Sequence, residues 1–210
     1  NRTFSASGIP ALTQRTLLHH WHSDPMSGQR TRAQAEADGG DALCMGIVLS
    51  GERQAEDGEG RRWRNGPGEA FVYDGAQTSR IAWTQHEGLH LTLRRPVVTA
   101  LLGDRIPAAA DLTKRINASP FFLLVREQLV AAARSLSWLA EPEQAFALDQ
   151  AQRLVSFLLA RSAGIGDEEP TGRANLHTAA MRLIEIHLAA PDLSPDWLAG
   201  KLRCSRTTLY

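Results

Sequence analysis

The sequence predicts an α+β chain: a β-barrel or sandwich first, a helical segment next, and a small all-α helix-turn-helix, cut short, at the end. Three observations carry that expectation. Turn-forming dipeptides crowd the stretch from Leu12 to Arg95. After Pro96 apolar residues recur at helical spacing. The last residues set out a short capped helix, a tight turn and the opening of a further helix.

The β reading begins with the punctuation. Asp24-Pro25, Gly39-Gly40, Ser50-Gly51, Asp57-Gly58, Asn65-Gly66-Pro67-Gly68, Asp74-Gly75 and Glu87-Gly88 bracket short runs such as Leu43–Leu49, Ala70–Tyr73, Arg80–Trp83 and Leu89–Leu93. Short strands at this turn spacing belong to sandwiches and barrels. Asp57-Gly58 marks a hairpin. Leu89, Leu91 and Leu93 share one face of their strand, and His90, Thr92 and Arg94 the other.

Ser119-Pro120 and Glu141-Pro142 read as helix starts. The first helix is expected to bury Phe121, Leu124, Val125, Leu129, Ala132 and Leu136, and the second Ala147, Ala151, Leu154, Val155 and Leu158. The run Phe121–Val125 holds more apolar surface than one stripe can hide, so something must cover it. A homodimer through this segment does so; a closed core within one chain is the other solution. AGIGDEEPTGR, from Ala163 to Arg173, reads as a linker. The expected divisions are a β domain at 1–103, a helical dimerisation segment at 104–163, a linker at 164–173 and a terminal domain at 174–210.

Composition narrows the function. Hydrophobic residues make up 43% and charged residues 22%, as in a globular protein. The net charge is zero, so the chain does not coat nucleic acid and any DNA contact is local. Cys44 and Cys204 lie far apart, which argues against a disulfide scaffold or zinc site and suits a reducing cytoplasm, the expected location. No apolar run approaches the roughly 18 residues that span a membrane. No G-x-S-x-G, Walker loop or H-E-x-x-H occurs, so no enzyme is expected.

Trp21, Tyr73, Trp83 and His90 fall on expected strands and can line an apolar pocket with a few polar handles. Each also suits a plain core. In His19-His20-Trp21-His22, His20 and His22 share a strand face and could ligate a metal. No third ligand has suitable spacing, so neither metal nor cofactor is expected. Arg61, Arg62 and Arg64 follow the acidic Glu52–Glu59 stretch and read as a solvated hairpin face.

Near the end, Ser194 is a good N-cap with Pro195 at the first helical position and Asp196 in the first turn. Leu198 and Leu202 form an apolar stripe, Ala199 permits a close helix crossing, and Cys204 can pack between helices. Spacing alone fits a helix-turn-helix and a surface helical hairpin equally.

The run L-x-P-D-W-L-A-x-x-L-x-C-S-R-x-x-L-Y resembles the first helix-turn-helix of AraC/XylS-type bacterial transcription regulators, and AAMRLIEIHL the helix before it. Arg203 stands where that turn usually offers Gly. N-G-P-G-E-A-F-V-Y-D-G, within Leu12 to Gly103, is similar to the turn-strand-turn of small cupin-like barrels and of the effector domain of these regulators. The resemblance implies a ligand-responsive, sequence-specific DNA-binding regulator that forms homodimers. Its partners would be promoter DNA, a small organic effector bound by Trp21, Tyr73, Trp83 and His90, and RNA polymerase. Ser205 would open the recognition helix, Lys201 and Arg206 would contact phosphates, and Thr207 and Tyr210 would reach the major groove. The family carries a second helix-turn-helix that this sequence does not contain, so a fragment is expected, binding DNA weakly by itself. A cupin-type metal-dependent enzyme, a dioxygenase or isomerase with a helical extension, is the alternative. A sensing or oligomerisation module without DNA contact is a third reading.

Overall fold

Among the described residues, the runs between turns form nine strands, most of them with period-two alternation. In chain order they are β1 (Ala6–Leu12), β2 (Thr16–Ser23), β3 (Met26–Arg30), β4 (Ala42–Ser50), β5 (Arg53–Asp57), β6 (Arg62–Asn65), β7 (Ala70–Asp74), β8 (Ser79–Trp83) and β9 (His86–Arg94). They come from a computed structural model that describes residues 4–13, 16–38, 40, 42–103, 105–165, 180, 184, 194–202 and 204–206. The strands form two antiparallel sheets, of order β1-β2-β9-β4-β7 and β3-β8-β5-β6. The fold is therefore α+β with paired sheets. Val48, Phe71 and Trp83 pack together between the two sheets.

The Asp57-Gly58 hairpin forms as its turn residues require: Glu56 pairs with Arg62, and Arg61 donates its backbone N–H to Asp57 Oδ1 at 2.9 Å. Two features depart from the expected β stretch. β1 starts at Ala6, ahead of Leu12; it is an edge strand with mostly exposed side chains, so it lacks a hydrophobic alternation to read. A short helix, α1 (Arg32–Ala37), interrupts the strands. Thr31 and Gln34 close a capping box there: Gln34 N–H donates to Thr31 Oγ1 at 3.3 Å, and Thr31 N–H to Gln34 Oε1 at 2.9 Å.

After β9 come α2 (Arg95–Leu102), α3 (Ala109–Ala118), α4 (Pro120–Ser135), a 3-10 turn at Leu136–Trp138, and α5 (Glu141–Ser162). Leu89, Leu91 and Leu93 of β9 meet Leu18, Met45 and Ile47 in one core with Val98, Leu112, Ile116, Val125, Leu129, Val155 and Leu158 of the helices. Residues 1–103 and 104–163 thus share a core. Polar side chains anchor α3 to the β7 edge: Val72 N–H donates to Thr113 Oγ1 at 2.9 Å, and Ala70 N–H to Asn117 Oδ1 at 2.8 Å.

The buried face of α4 differs from the expected one. Phe122, Val125 and Leu129 are buried, whereas Leu124 is 49% exposed. Five apolar residues in a row define no unique stripe. Val125 and Leu129 fix the helix rotation, and Phe122 lies three residues before Val125 on their stripe while Leu124 falls off it. On α5, Ala151, Val155 and Leu158 are buried with Leu148 and Leu159; Ala147 and Leu154 are half-buried at the margin.

The contacts divide the chain into two units, Asn1–Ile165 and Gly166–Tyr210. In the second, α6 (Pro195–Lys201) is capped as its sequence demands: Trp197 N–H donates to Ser194 Oγ at 3.2 Å, Asp196 lies in the first turn and Lys201 in the last. Ala199 is buried, and Cys204 N–H donates to Ala199 O at 3.1 Å. Arg203, Thr207, Tyr210, nearly all of the linker and most of the helix expected over AAMRLIEIHL lie outside the described residues. No described helix is long and apolar enough to cross a membrane.

Candidate functional site

The alternation that sends the β9 leucines to the helices sends His90 and Thr92 the other way. There, with residues of β3, β4, β5, β7 and β8, they line a cavity of about 630 Å³. Cys44, Arg53, Phe71, Tyr73, Ile81 and Trp83 belong to this lining. Gly46 makes room for it: a Cβ at that position would sit 2.0 Å from the Phe71 ring. Phe71 therefore lies against the backbone of β4, which a larger residue would forbid.

The rings form a connected set. Phe71 meets Trp83 edge-on at 5.3 Å and His90 at 5.2 Å, and Trp83 stacks on His86 at 4.1 Å between centroids. The Arg53 guanidinium lies 4.6 Å from the centre of the Phe71 ring and 5.9 Å from that of Trp83. Burial dominates the ionisation of the site. It pushes the Cys44 thiol up to about 11, lowers Arg53 to about 10 and lowers His90 to about 4. At neutral pH Arg53 is thus charged, whereas Cys44 and His90 are neutral. At one side of the cavity Arg30 pairs with Asp38, and nearby Asp74 pairs with Arg95.

Of the four residues read from the sequence as effector contacts, Tyr73, Trp83 and His90 stand together around this cavity. Trp21 is not in its lining. On β2, next to the β1 edge, Trp21 faces Gly88 across the ladder and meets the His19 ring edge-on at 5.1 Å. Sequence reasoning missed Arg53 because Glu52, Gln54 and Glu56 surround it, a polar run that reads as a solvated strand. The available signal was its alternation with Ala55, which is also buried.

The His pair has a neighbour that spacing did not reveal. Cross-strand pairing sets Glu87 opposite His22. Glu87 Oε1 lies 2.7 Å from His20 Nε2 and 3.5 Å from His22 Nε2, and one donor atom from each residue falls within 4.8 Å of the others. The expectation that no third ligand stands near the pair is corrected: it came from β9, distant in sequence. These three lie on the opposite sheet face from the cavity, because His20 pairs with Leu89 whereas His19 pairs with His90.

In the second unit, Lys201 Nζ lies 5.4 Å from the centre of the Trp197 ring. Ser205 and Arg206 are exposed, and Arg206 reaches Asp196 at 3.4 Å. Thr207 and Tyr210 lie outside the described residues.

The AraC-binding-like domain matches residues 15–160 of this chain. The structure is similar to that of the AraC-like transcriptional activator CuxR, with a TM-score of 0.59 and 20% identity over 99% of this chain and 73% of that one. At that identity the likeness speaks to the fold. Two smaller likenesses are a cupin superfamily protein from Desulfitobacterium hafniense (TM-score 0.34, 11% identity, 45% of this chain and 81% of that one) and KdgF from Halomonas sp. (0.32, 19%, 44% and 79%). No curated protein sequence matches. With a match across most of its length, over every strand but β1 and the helices that pack on them, the chain belongs to the AraC-binding-like domain family.

Proposed function

We propose that the protein is a ligand-responsive, sequence-specific DNA-binding transcription regulator of the AraC type. The cavity carries the reading: in an AraC-binding-like domain, the space beside the paired sheets is a partly open, ring-lined cleft of a size that takes a small organic molecule. Tyr73, Trp83 and His90 contact that effector. The segment from Ser194 supplies the DNA-contacting part. Lys201 and Arg206 bind phosphates, Ser205 caps the recognition helix, and Thr207 and Tyr210 read base edges. The exposed ion pair of Arg206 with Asp196 is weak enough to yield to a phosphate. Two copies associate through α4 and α5, as homodimers use one patch twice.

Selection from random duplexes, with and without effector, tests the reading. Binding should be salt-sensitive and converge on a sequence. Substituting Arg206 should weaken all DNA alike, and substituting Thr207 should alter sequence preference. If neither salt-sensitive nor sequence-selective binding emerges, the regulator reading fails.

His20, His22 and Glu87 favour a second reading, a metal-dependent cupin-type enzyme. Against it, their sheet face is opposite the cavity, so a metal there would not meet a substrate bound inside. Stoichiometric zinc or iron in freshly purified protein would support the enzyme instead.

A further inference from the structure

Arg53 has no counter-ion among the described residues. It is 2% exposed, yet no carboxylate pairs with it among the described residues. Its side-chain hydrogen bond, from Nη1 to Asn65 Oδ1, is long at 3.5 Å. The ionisable groups close enough to favour its charge are Cys44 and Tyr73, and burial raises both above their ordinary values, so both are neutral near pH 7. The other charges at this side of the molecule satisfy one another, Arg30 with Asp38 and Asp74 with Arg95. A buried cation without a partner is costly to a fold. Here it borders the ring-lined cavity, where an incoming anion can pair with it.

We propose that the cavity binds an organic acid, whose carboxylate takes the Arg53 guanidinium and whose flat apolar body lies among Phe71, Trp83 and His90. This rests on reading the cavity as the effector site. A single planar fork matches a carboxylate, with its two oxygens in one plane. A phosphate, with more charge and three free oxygens, calls for further cations. The remaining lining offers none, since Arg30 is already engaged by Asp38. His90 Nε2 is buried and has no hydrogen-bond partner among the described residues, so it supplies one neutral donor or acceptor beside the anion. The rings suit a conjugated or aromatic body better than a sugar, because they present flat apolar faces rather than an array of hydroxyl partners.

Matched probes test this on the purified chain by titration calorimetry and thermal shift: benzoate against benzamide, phenylacetate against phenylacetamide, and phenyl phosphate. The acids should bind about tenfold or more tightly than their amides. Arg53→Met should abolish that preference while melting at or above the wild-type temperature, because an unpaired buried charge has gone. Arg53→Lys keeps the charge without the fork and should retain part of the preference. Amides that bind as well as acids, a preference for phenyl phosphate, or an acid preference that survives in Arg53→Met would each overturn the carboxylate assignment and leave the cavity as an effector site. If no acid and no amide binds, the effector reading of the cavity falls with it. Should Arg53→Met fail to fold, the wild-type preference and its change in Arg53→Lys decide the question.

Discussion

The atoms around Gly46 show how little slack the cavity wall has. The Phe71 ring occupies the space a side chain at Gly46 would need. Gly46→Ala should therefore push the ring toward Trp83 and His90, at a cost of about 1–3 kcal/mol. Chemical denaturation would show a lowered midpoint, and an unchanged midpoint would mean the ring has room that its contacts do not suggest. Much of this residue-scale picture could be read from the sequence. Tyr73, Trp83 and His90 each declared an aromatic or polar handle on a strand, and alternation gave His90 the face opposite the leucines. Arg53 was harder to read, because it stands between Glu52 and Gln54 and its alternation with Ala55 alone marks it as buried. Glu87 was hidden for a related reason: its closeness to His20 and His22 arises from strand pairing between distant segments.

Among the elements, α4 and α5 leave apolar surface uncovered. Leu123, Leu124, Phe146 and Phe157 are all exposed. The Phe121 and Phe157 rings meet edge-on at 5.1 Å, and Leu124 lies one helical turn from Phe121, so these three mark a patch that spans both helices. The proposed dimer would cover this patch. The protein should sediment as a dimer at micromolar concentration, and the pair Leu124→Glu and Phe157→Glu should convert it to a species near 23.0 kDa that keeps the far-ultraviolet circular dichroism of the folded chain. A wild-type protein that already sediments at that mass would remove dimerisation from the reading. The starts of both helices were legible because Pro120 and Pro142 sit where proline is tolerated. The rotation of α4 was not, since a continuous apolar run carries no phase. α1 was missed because six residues give no helical period; its signature is the local Thr31–Gln34 box.

For the whole molecule, histidines withdrawn wholly or partly from water set the response to acid. Burial lowers His90 to about 4, and it lowers His19 and His86 as well. The unfolded chain binds protons near the ordinary histidine value, so between there and the folded value it holds more protons than the native state. Stability is then complete above roughly pH 6.5 and is lost as pH falls toward about 4, with His90 alone contributing about 2 kcal/mol of loss by about pH 5. Melting curves from about pH 7.5 to about pH 5 should show this decline, and His90→Gln should flatten it. A wild-type melting temperature that holds constant across that range would contradict the burial of His90. The α+β order was plain from composition and punctuation, whereas the joining of strands and helices in a single core was not, because period-two leucines on β9 name a buried face without naming what covers it. That strand now has a mechanical meaning. Leu91 and Leu93 press on the helices while Thr92, between them, borders the cavity. The five-stranded sheet is a diaphragm one peptide thick, so a guest that alters its curvature on one side moves, in the same stroke, the seats on which the helices rest.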